Sequence, residues 1–353
     1  NLPRDIIVSR AQAQFVEYRN SNPDIVNQQA SQLAADLKSR FQDEHDQTYL
    51  LAIDPYYYQR LTENYIENGH PGEYLNDEGK PASRLQTAPS ENTITLHFHT
   101  WFQAMMFKVA KLFNSSLTLD ELPQIIFWTP VIFVALSIIP LYFITRSFIG
   151  DVGAFFAALI FAVHRAVLTR TPAGFADTDA YNVFFPLMIT WMLILAFNAK
   201  TLKRTIIFGL LGGAFVGLYS WAWSGWVFML VFALLALIAG IAYHLINVAI
   251  NTAKLDAKRW KKVIVSDKKL HQIVIQLVVF FFSGWIVYGL LSPVTQSKLI
   301  NYATSITGVF GFATIKDAVK TNLWPNVYTT VAELNAGSIP SIIQSVGGGF
   351  LFA

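Results

Sequence analysis

Polar and apolar residues are unevenly distributed along the chain, and their distribution predicts two kinds of structure. Residues 1 to about 120 are mostly polar with a helical pattern, and they contain no apolar run of the roughly 20 residues that a bilayer requires. From residue 125 onward apolar residues dominate. Six runs are candidate membrane spans: 125–145, 152–168, 181–199, 205–221, 227–250 and 273–292, with the start of a further span at 339–353. The pattern therefore predicts a mainly α-helical, multispan transmembrane protein with a polar N-terminal region.

The polar region contains one acidic residue at a predicted helix start. Asp54 precedes Pro55 and a run of three tyrosines. Proline is favoured at the first position of a helix because its missing N–H costs nothing there, so a helix is expected to begin at Pro55. Asp54 would then be the N-cap that accepts a hydrogen bond from a backbone N–H of the first turn. Taken alone, Asp54 is best explained by this structural role.

The rest of the polar region is predicted to be a loop followed by a helix. Residues 69–90 are rich in Gly, Pro, Asn, Asp and Ser, which is typical of loops, and residues 101–113 favour a helix. Between them, His97 and His99 alternate in a β-like run, so they are expected to share one face of a strand. We interpret both as ordinary polar residues, because no third metal ligand is spaced nearby.

Composition supports the membrane assignment and excludes several other classes. Apolar residues make up 53% of the chain and charged residues only 14%. The net charge of +3 is small, and nucleic acid is not an expected partner. Without cysteine there is no disulfide framework, thiolate metal site or cysteine nucleophile. The first residue is Asn and no signal-like apolar stretch opens the chain, so a fragment or a processed form is expected.

The positions of the basic residues predict the orientation of the spans. One predicted loop contains Lys200, Lys203 and Arg204, and another contains seven lysines and arginines between residues 254 and 269. Basic loops stay on the cytoplasmic side of a membrane. Counting spans outward from them places residues 1–120, the segment before the third span and residues 292–340 on the external side. The Trp-rich turn at 221–226 falls there too and is interpreted as an interfacial aromatic belt.

Two carboxylates lie between two strongly apolar segments. Asp177 and Asp179 are two residues apart, so they do not share a helix face and are expected in a loop or at a helix start. Charges beside a membrane span are costly unless they are paired, hydrated or bound to a cation. Carboxylate oxygens suit hard divalent ions such as Mg²⁺ or Mn²⁺. The alternative is that one of the two acids simply caps the helix that follows.

The predicted topology brings three separated acidic elements to one aqueous surface: Asp54, the pair at Asp177 and Asp179, and Glu333. Each could be an ordinary capping or surface acid when considered alone. Together they offer ligands for one divalent cation and a carboxylate that can accept a hydrogen bond from a substrate. A cation at the membrane face suits a phosphate-bearing lipid, because it can neutralise the charge of the leaving group.

These motifs, in this order, resemble the catalytic subunit of oligosaccharyltransferase. That family has an acidic residue in an external loop, an Arg seven residues before an Asp-x-Asp, and a Thr-x-x-Glu. This chain has Asp54, then Arg170 before Asp177-Thr-Asp179, then Thr330-Val-Ala-Glu333. The stretches around Asp54 and Glu333 are similar to archaeal members in particular. The chain departs from the family in having no Trp-Trp pair, so residues that recognise the Ser/Thr of the acceptor are not assigned.

The resemblance implies a fold, a reaction and a role for each motif. The fold would be of the GT-C glycosyltransferase type. The reaction would be the inverting, metal-dependent transfer of an oligosaccharide from a dolichyl phosphate or diphosphate donor to the Asn of Asn-x-Ser/Thr. The ligands of the Mn²⁺ or Mg²⁺ ion would be Asp54, Asp177 and Asp179. Arg170 would hold these acids in place, and Glu333, together with Asp54 and with Thr330 of the same motif, would bind the acceptor.

The expected organisation follows from the spans and the motifs. The four predicted regions are an external polar region (1–120), a helical bundle with the Asp-x-Asp loop (121–293), an external loop with Thr-x-x-Glu (294–340) and the start of another span (341–353). The protein is expected in the cell membrane, in contact with membrane lipids. Two alternatives are another lipid-dependent glycosyltransferase, such as a protein O-mannosyltransferase, and a transporter. A transporter would show mid-membrane charges and repeated halves, which this sequence lacks.

One sequence in the chain could itself be a substrate. Asn114-Ser115-Ser116 is its only Asn-x-Ser/Thr sequence. The predicted topology puts Asn114 on the external side, where the acidic motifs are also expected. Asn114 is therefore a candidate for self-glycosylation.

Overall fold

A computed structural model describes residues 4–43, 47–85, 90–251, 264–291, 301–302 and 306. The chain separates into two compact units, Asn1–Leu50 and Leu51–Ala353. In the first unit, α1 (Arg4–Ser21) and α2 (Pro23–Phe41) are joined at Asn22, and Pro23 occupies the first turn of α2, where proline is tolerated. The second unit contains all the other described elements.

The polar part of the second unit consists of two helices and a small sheet. Helix α3 (Asp54–Asn68) is followed by the antiparallel strands β1 (Tyr74–Leu75), β2 (Pro81–Ser83) and β3 (Asn92–Thr93), in the order β1-β2-β3, and then by α4 (Phe98–Phe113). Helix α3 begins at Asp54 itself, so this residue belongs to the first turn and Ile53 occupies the N-cap position. The sequence prediction of Asp54 as N-cap was therefore displaced by one residue.

The predicted strand around the two histidines is wrong. Helix α4 begins at Phe98, so His97 is its N-cap and His99 lies in its first turn. Residues two apart on a helix do not share a face. The physical reason for the longer helix is packing, because Phe98 is buried against the rings of Phe133, Tyr181 and other aromatic residues. These partners are distant in sequence, so the local pattern did not reveal them.

Five helical stretches within the described residues are long and apolar enough to cross a membrane: Leu119–Val163, Thr178–Phe197, Leu202–Ala222, Trp226–Ile250 and Lys268–Leu291. The first includes two short helical turns, Leu119–Glu121 and α5 (Leu122–Ile126), and the long helix α6 (Thr129–Val163). It is followed by α7 (Arg165–Leu168), α8 (Tyr181–Phe197), α9 (Leu202–Ala222), α10 (Trp226–Asn251) and α11 (Lys268–Leu291). The predicted multispan, mainly α-helical fold is confirmed.

Helix α6 is in fact two helices joined at Gly150. This glycine has φ 77° and ψ −176°, a conformation outside the helical region. A straight helix of 35 residues would be about 52 Å long. The 11 residues from Val163 to Gly174 reach at most about 40 Å, yet the N–H of Gly174 donates to the carbonyl of Phe127 just before the helix (2.8 Å). The chain therefore reverses at Gly150, which agrees with the separate spans predicted at 125–145 and 152–168.

Close helix packing forms the centre of the bundle. Helices α8, α9 and α11 pack side by side, and small residues let α9 approach α11 closely. A Cβ atom at Gly213 would lie 2.1 Å from the carbonyl oxygen of Phe280. The Trp-rich turn, interpreted from the sequence as an interfacial aromatic belt, also packs against other parts of the protein. Trp221 Nε1 donates to the carbonyl of Leu96 (2.7 Å), and Trp226 is buried.

Candidate active site

Asp177 lies at the entrance to α8, directly before a one-turn 3₁₀ helix, Thr178–Ala180, that continues into α8. Its Oδ1 accepts a hydrogen bond from the backbone N–H of Thr178 (2.5 Å), so Asp177 caps this turn. The capping alternative considered for the pair is thus true of Asp177. Capping occupies only part of what a carboxylate can accept, so it does not by itself explain the environment of this residue.

The fold brings Asp54 into electrostatic contact with Asp177, although the two are far apart in sequence. Burial raises the pKa of Asp177 above its usual value, and the nearby charge of Asp54 raises it further. The hydrogen bond from Thr178 N–H and the charge of Arg170 act in the opposite direction and are outweighed. Asp177 therefore carries a charge that its surroundings do not fully compensate.

Gly174 connects the two acidic segments through its backbone. Its carbonyl accepts from the N–H of Leu51, three residues before Asp54, and its N–H donates to Phe127. Gly174 has φ 90°, and a Cβ atom there would lie 2.6 Å from the Phe127 ring. Glycine is needed at this position both for its conformation and for the close approach. This junction positions the start of α3 beside the loop that carries Asp177.

Arg170 and Asp179 are brought together on the exposed side of the same loop. Nη1 of Arg170 lies 3.6 Å from Oδ2 of Asp179, with side-chain exposures of 61% and 33%. An ion pair that is this long and this exposed contributes little to stability. The guanidinium also lies 6.0 Å from the ring centroid of Phe175, so the pairing restricts the orientation of Asp179 more than it stabilises the fold.

A buried polar network supports this loop, and the sequence analysis missed it. His99 is completely buried; its Nδ1 lies 2.6 Å from the hydroxyl of Tyr181 and its Nε2 lies 3.0 Å from the carbonyl of Ala176. Burial lowers the pKa of His99 to about 4, so the imidazole is neutral at physiological pH. The ring of Tyr58 packs edge-on against His99, with 4.6 Å between centroids.

A sequence signal for part of this network did exist. Tyr58 and Thr62 follow Asp54 at four-residue intervals, so all three lie along one face of α3. Thr62 contacts Gln103 of α4 (Oγ1 to Oε1, 2.9 Å), and Gln103 in turn contacts His99. The spacing from Asp54 would have indicated which face of α3 turns toward the acidic loop. Nothing local indicated that His99 would be the partner.

The described residues offer a partial cation site. Among them, no three His, Asp or Glu side chains lie close enough together to form a complete metal site. Asp54 and Asp177 are nevertheless two oxygen-ligand residues whose like charges oppose each other, which is a conflict that a hard divalent cation relieves. Asp179 is the next carboxylate along the loop and is paired with Arg170. The donor chemistry therefore fits Mn²⁺ or Mg²⁺. Glu333 and Thr330 lie outside the described residues.

The structure is a multispan helical bundle with carboxylates at the entrance to one of its helices, as expected for a membrane protein of the GT-C fold class. Residues 25–352 match the family model described as "Oligosaccharyl transferase STT3, N-terminal". The chain therefore belongs to the STT3 family, which confirms the resemblance seen in the sequence motifs.

Two archaeal relatives support the same assignment. The chain is 30% identical over 338 residues to a dolichyl-phosphooligosaccharide-protein glycotransferase of Methanococcus voltae, covering 89% of this chain and 34% of that protein. It is 27% identical over 374 residues to the protein of the same name from Methanocaldococcus jannaschii, covering 84% and 38%. The chain thus spans little more than a third of the length of these relatives.

A solved structure shares the fold. Archaeal oligosaccharyltransferase AglB from Archaeoglobus fulgidus, in complex with an inhibitory peptide and a dolichol-phosphate, matches with a TM-score of 0.51. The match covers 86% of this chain and 40% of that protein at 17% identity. At this identity the likeness concerns the fold.

Proposed function

We propose that the protein transfers an oligosaccharide from a dolichyl phosphate or diphosphate donor to the Asn side chain of Asn-x-Ser/Thr sequences. The proposed reaction depends on Mn²⁺ or Mg²⁺ and inverts the anomeric centre in a single displacement. The observation that carries the proposal is the proximity of Asp54 to Asp177, whose raised pKa marks an incompletely compensated carboxylate, in a chain of the STT3 family. The names of the archaeal relatives support this reaction.

The carboxylates are proposed to prepare the site for a phosphate-bearing lipid. Asp54, Asp177 and Asp179 would hold the cation, and Arg170 would keep Asp179 oriented toward it. When bound, the divalent cation would neutralise the negative charge that develops on the lipid phosphate as it leaves. The site lies next to the spanning helices, so a donor anchored in the bilayer by its lipid would reach it with its phosphate.

Glu333, Asp54 and Thr330 are proposed to act on the acceptor. An amide nitrogen is a poor nucleophile because its lone pair is delocalised into the carbonyl. The two N–H donors of the acceptor amide can each bond to one acidic side chain, Glu333 and Asp54, which stabilises a twisted amide with a free lone pair. Thr330, in the same motif as Glu333, would contribute to binding the acceptor.

The membrane orientation is part of the proposal. The acidic loop would face the external side of the cell membrane, and the loops with clustered lysines and arginines would face the cytoplasm. Those basic loops would contact anionic membrane lipids and take no part in the chemistry. The acceptor polypeptide would therefore be modified on the external side.

The direct test is transfer by the full-length protein reconstituted in liposomes. It would be supplied with lipid-linked oligosaccharide, Mn²⁺ and an Asn-x-Thr peptide, and glycopeptide would be measured by mass spectrometry. We expect product with this peptide, none with a matched Gln-x-Thr peptide, and none after chelation of the metal. Transfer to the Thr of the peptide would instead favour a protein O-glycosyltransferase. No transfer from an intact donor would contradict the proposal.

Glu333→Gln separates acceptor activation from metal binding. The substitution keeps the shape of the side chain but replaces a pure hydrogen-bond acceptor with a group that also donates. We expect turnover to fall by at least ~10²-fold, while the Mn²⁺ concentration for half-maximal activity changes little. Glu67→Gln makes the same change at an exposed position at the end of α3 and serves as the control. Full recovery of the Glu333 variant at high Mn²⁺ would show that Glu333 is a metal ligand.

A further inference from the structure

The residues on both sides of Asp177 contact side chains from other helices, and one of these contacts is fully buried. On one side, Nε2 of His99 lies 3.0 Å from the carbonyl oxygen of Ala176. On the other, burial raises the pKa of the Tyr58 phenol and the neighbouring side chain of Thr178 partly offsets this, which places these two side chains next to each other. The two contacts come from α4 and α3, two elements that precede Asp177 by many residues in the chain. Asp177 is thus fixed between two anchored neighbours.

The same helix also carries the opposing carboxylate. Asp54 begins α3, and Tyr58 lies one turn further along the same face. The Tyr58 contact to Thr178 therefore ties the helix of Asp54 directly to the loop of Asp177. The edge-on packing of Tyr58 against His99, with ring planes at 74°, joins the two anchors into one unit. This unit connects the helix of Asp54 to the residue before Asp177.

The hydrogen bonds of the network can all be satisfied with a neutral His99. With its proton on Nε2, the imidazole donates to Ala176 O and accepts at Nδ1 from the hydroxyl of Tyr181 (2.6 Å). As placed, Gln103 has Nε2 2.8 Å from Nε2 of His99 and Oε1 2.9 Å from the hydroxyl of Thr62; turning the amide by 180° exchanges these two atoms, so that its oxygen accepts from Nε2–H and its NH₂ donates to Thr62. Thr62 in turn donates to the carbonyl of Tyr58 (2.8 Å). Both imidazole nitrogens are occupied, so His99 is not available as a metal ligand.

We propose that His99 and Tyr58 form a clamp that positions Asp177 at the distance from Asp54 which a divalent cation requires. This inference rests on the proposed function and adds positioning residues to it. Two like-charged carboxylates repel each other, and an unsupported loop would relax by moving them apart. The clamp prevents that relaxation and pre-organises the pair before the cation binds.

The clamp is tested by measuring Mn²⁺ binding as well as turnover of the full-length protein. Tyr58→Phe removes only the hydroxyl that meets Thr178 and keeps the ring against His99. His99→Leu removes the contact to Ala176. Outer-shell partners of metal ligands typically contribute 10–100-fold to metal affinity, so we expect the Kd for Mn²⁺ to rise about tenfold in each variant. At saturating Mn²⁺ most of the turnover should return, because the carboxylates themselves are intact.

A conservative variant and a matched control separate positioning from general damage to the fold. In His99→Gln the side-chain amide can still donate to Ala176 O, and it should recover most of the Mn²⁺ affinity that His99→Leu loses. Tyr57→Phe makes the same change as Tyr58→Phe at the neighbouring position of α3 and should bind Mn²⁺ like the unmodified protein. Melting temperatures in the absence of metal identify any variant that has lost its fold.

The outcomes distinguish this inference from the proposed function. Unchanged Mn²⁺ affinity in Tyr58→Phe, or an affinity loss in His99→Leu that His99→Gln does not reduce, would overturn the clamp. So would a protein that binds no Mn²⁺. A protein that binds Mn²⁺ in a clamp-dependent way but transfers no glycan would contradict the proposed function and leave the clamp intact.

Discussion

Two aspartates cap helices at opposite ends of α8, and the pKa values of their carboxyl groups are shifted in opposite directions. Asp177 stands before the N-terminus of α8, and Asp267 stands before α11, next to the C-terminus of α8 about 25 Å away. Oδ1 of Asp267 accepts from the N–H groups of Lys269 and Leu270 (both 2.9 Å), and its Oδ2 lies 2.8 Å from Nε2 of His244. The pKa of Asp177 is raised, whereas that of Asp267 is lowered.

The two pKa values differ because nearby hydrogen bonds and charges compensate the carboxylate of Asp267 more fully than that of Asp177. Burial on its own would raise the pKa of Asp267, but the bond from Leu270 N–H and the neighbouring His244, with Lys269 N–H, lower it overall. For Asp177, burial and the charge of Asp54 outweigh the backbone N–H and side chain of Thr178 and the charge of Arg170, so its pKa stays raised. Asp267 is therefore a satisfied structural cap. Asp177 is held in an unfavourable charge state, which is typical of functional sites.

The surroundings of Asp267 form a closed set of hydrogen bonds. Gln272 donates to the carbonyl of Ala199 (2.8 Å) and to the hydroxyl of Thr205 (2.8 Å), and the ammonium of Lys269 donates to the carbonyl of Phe197. These contacts satisfy carbonyl groups at the C-terminus of α8. At the other end, the clamp proposed for His99 and Tyr58 holds the backbone, while the carboxylate of Asp177 is incompletely compensated. The contacts favour a structural role for Asp267, and the binding role proposed above for Asp177.

The largest expected effect is a difference in turnover between variants of the two capping aspartates. Asp177→Ala should lower turnover of the full-length protein by at least ~10²-fold, the scale of losing a main electrostatic contact. Asp267→Ala should leave turnover per folded molecule close to that of the unmodified protein. The measurement is glycopeptide formation normalised to folded protein. Equal losses in the two variants would remove the functional distinction drawn here.

The next effect concerns stability. Asp267→Ala removes a cap with two backbone contacts and should lower the free energy of unfolding by about 1 kcal/mol, more if His244 is left without a partner. Asp177→Asn retains a good capping residue but removes the charge, so it should not destabilise the metal-free protein. Denaturant titration in detergent micelles compares the two. If Asp177→Asn lowers the free energy of unfolding, then the charge of Asp177 is compensated in the folded protein.

A smaller effect appears in the pH dependence of metal-free protein. The pKa of Asp267 is lower in the folded state, so its stabilising contribution is present above the unfolded pKa of about 3.9 and is lost as pH falls through the folded value. The pKa of Asp177 is raised, so its charge destabilises the fold once pH rises past the folded value.

Asn substitutions measure these two contributions separately. At pH 7, Asp267→Asn should lower the melting temperature and Asp177→Asn should raise it. The Asp177→Asn difference should shrink as pH falls toward about 4, whereas the Asp267→Asn difference should persist to about pH 4 and shrink only below it. If both variants shift the melting temperature in the same direction, then the charges of Asp177 and Asp267 do not have opposite effects on stability.

The smallest expected effect is glycosylation of the protein itself, at only one end of the helical bundle. Asn114 is exposed, and its Oδ1 accepts from the N–H (3.2 Å) and hydroxyl (2.7 Å) of Ser116. It precedes the first spanning stretch, which begins beside the loop of Asp177, so Asn114 lies at the proposed catalytic end. Asn198 follows α8 at the other end, and Lys200→Thr makes an Asn-x-Thr sequence there.

Peptide mapping of natively purified protein should find glycan on Asn114 and none on Asn198 of the Lys200→Thr variant. The reason is that the proposed donor and catalytic residues are on one side of the membrane only. An unmodified Asn114 would remove it as an acceptor. A modified Asn198 would contradict the proposed orientation.

The membrane class of this protein and the order of its apolar helical segments could be predicted from the sequence alone. A membrane span requires a contiguous apolar run, and such a run is visible without knowledge of the fold. Even the reversal at Gly150 was implied by the break between 125–145 and 152–168. The motifs around Asp54, Arg170 and Asp177 also indicated the family, because they depend on residue identity and short spacing.

How those residues are held depends on contacts between distant parts of the chain and could not be predicted from the sequence. The start of α4 at Phe98, the burial of His99 and the contact of Trp221 with Leu96 all depend on partners far along the chain. The placement of Asp54 beside Asp177 likewise depends on Gly174, whose backbone bonds both Leu51 and Phe127. Hydropathy and motifs are properties of neighbouring residues. The electrostatic state of Asp177 is set by groups that become its neighbours only when the chain folds.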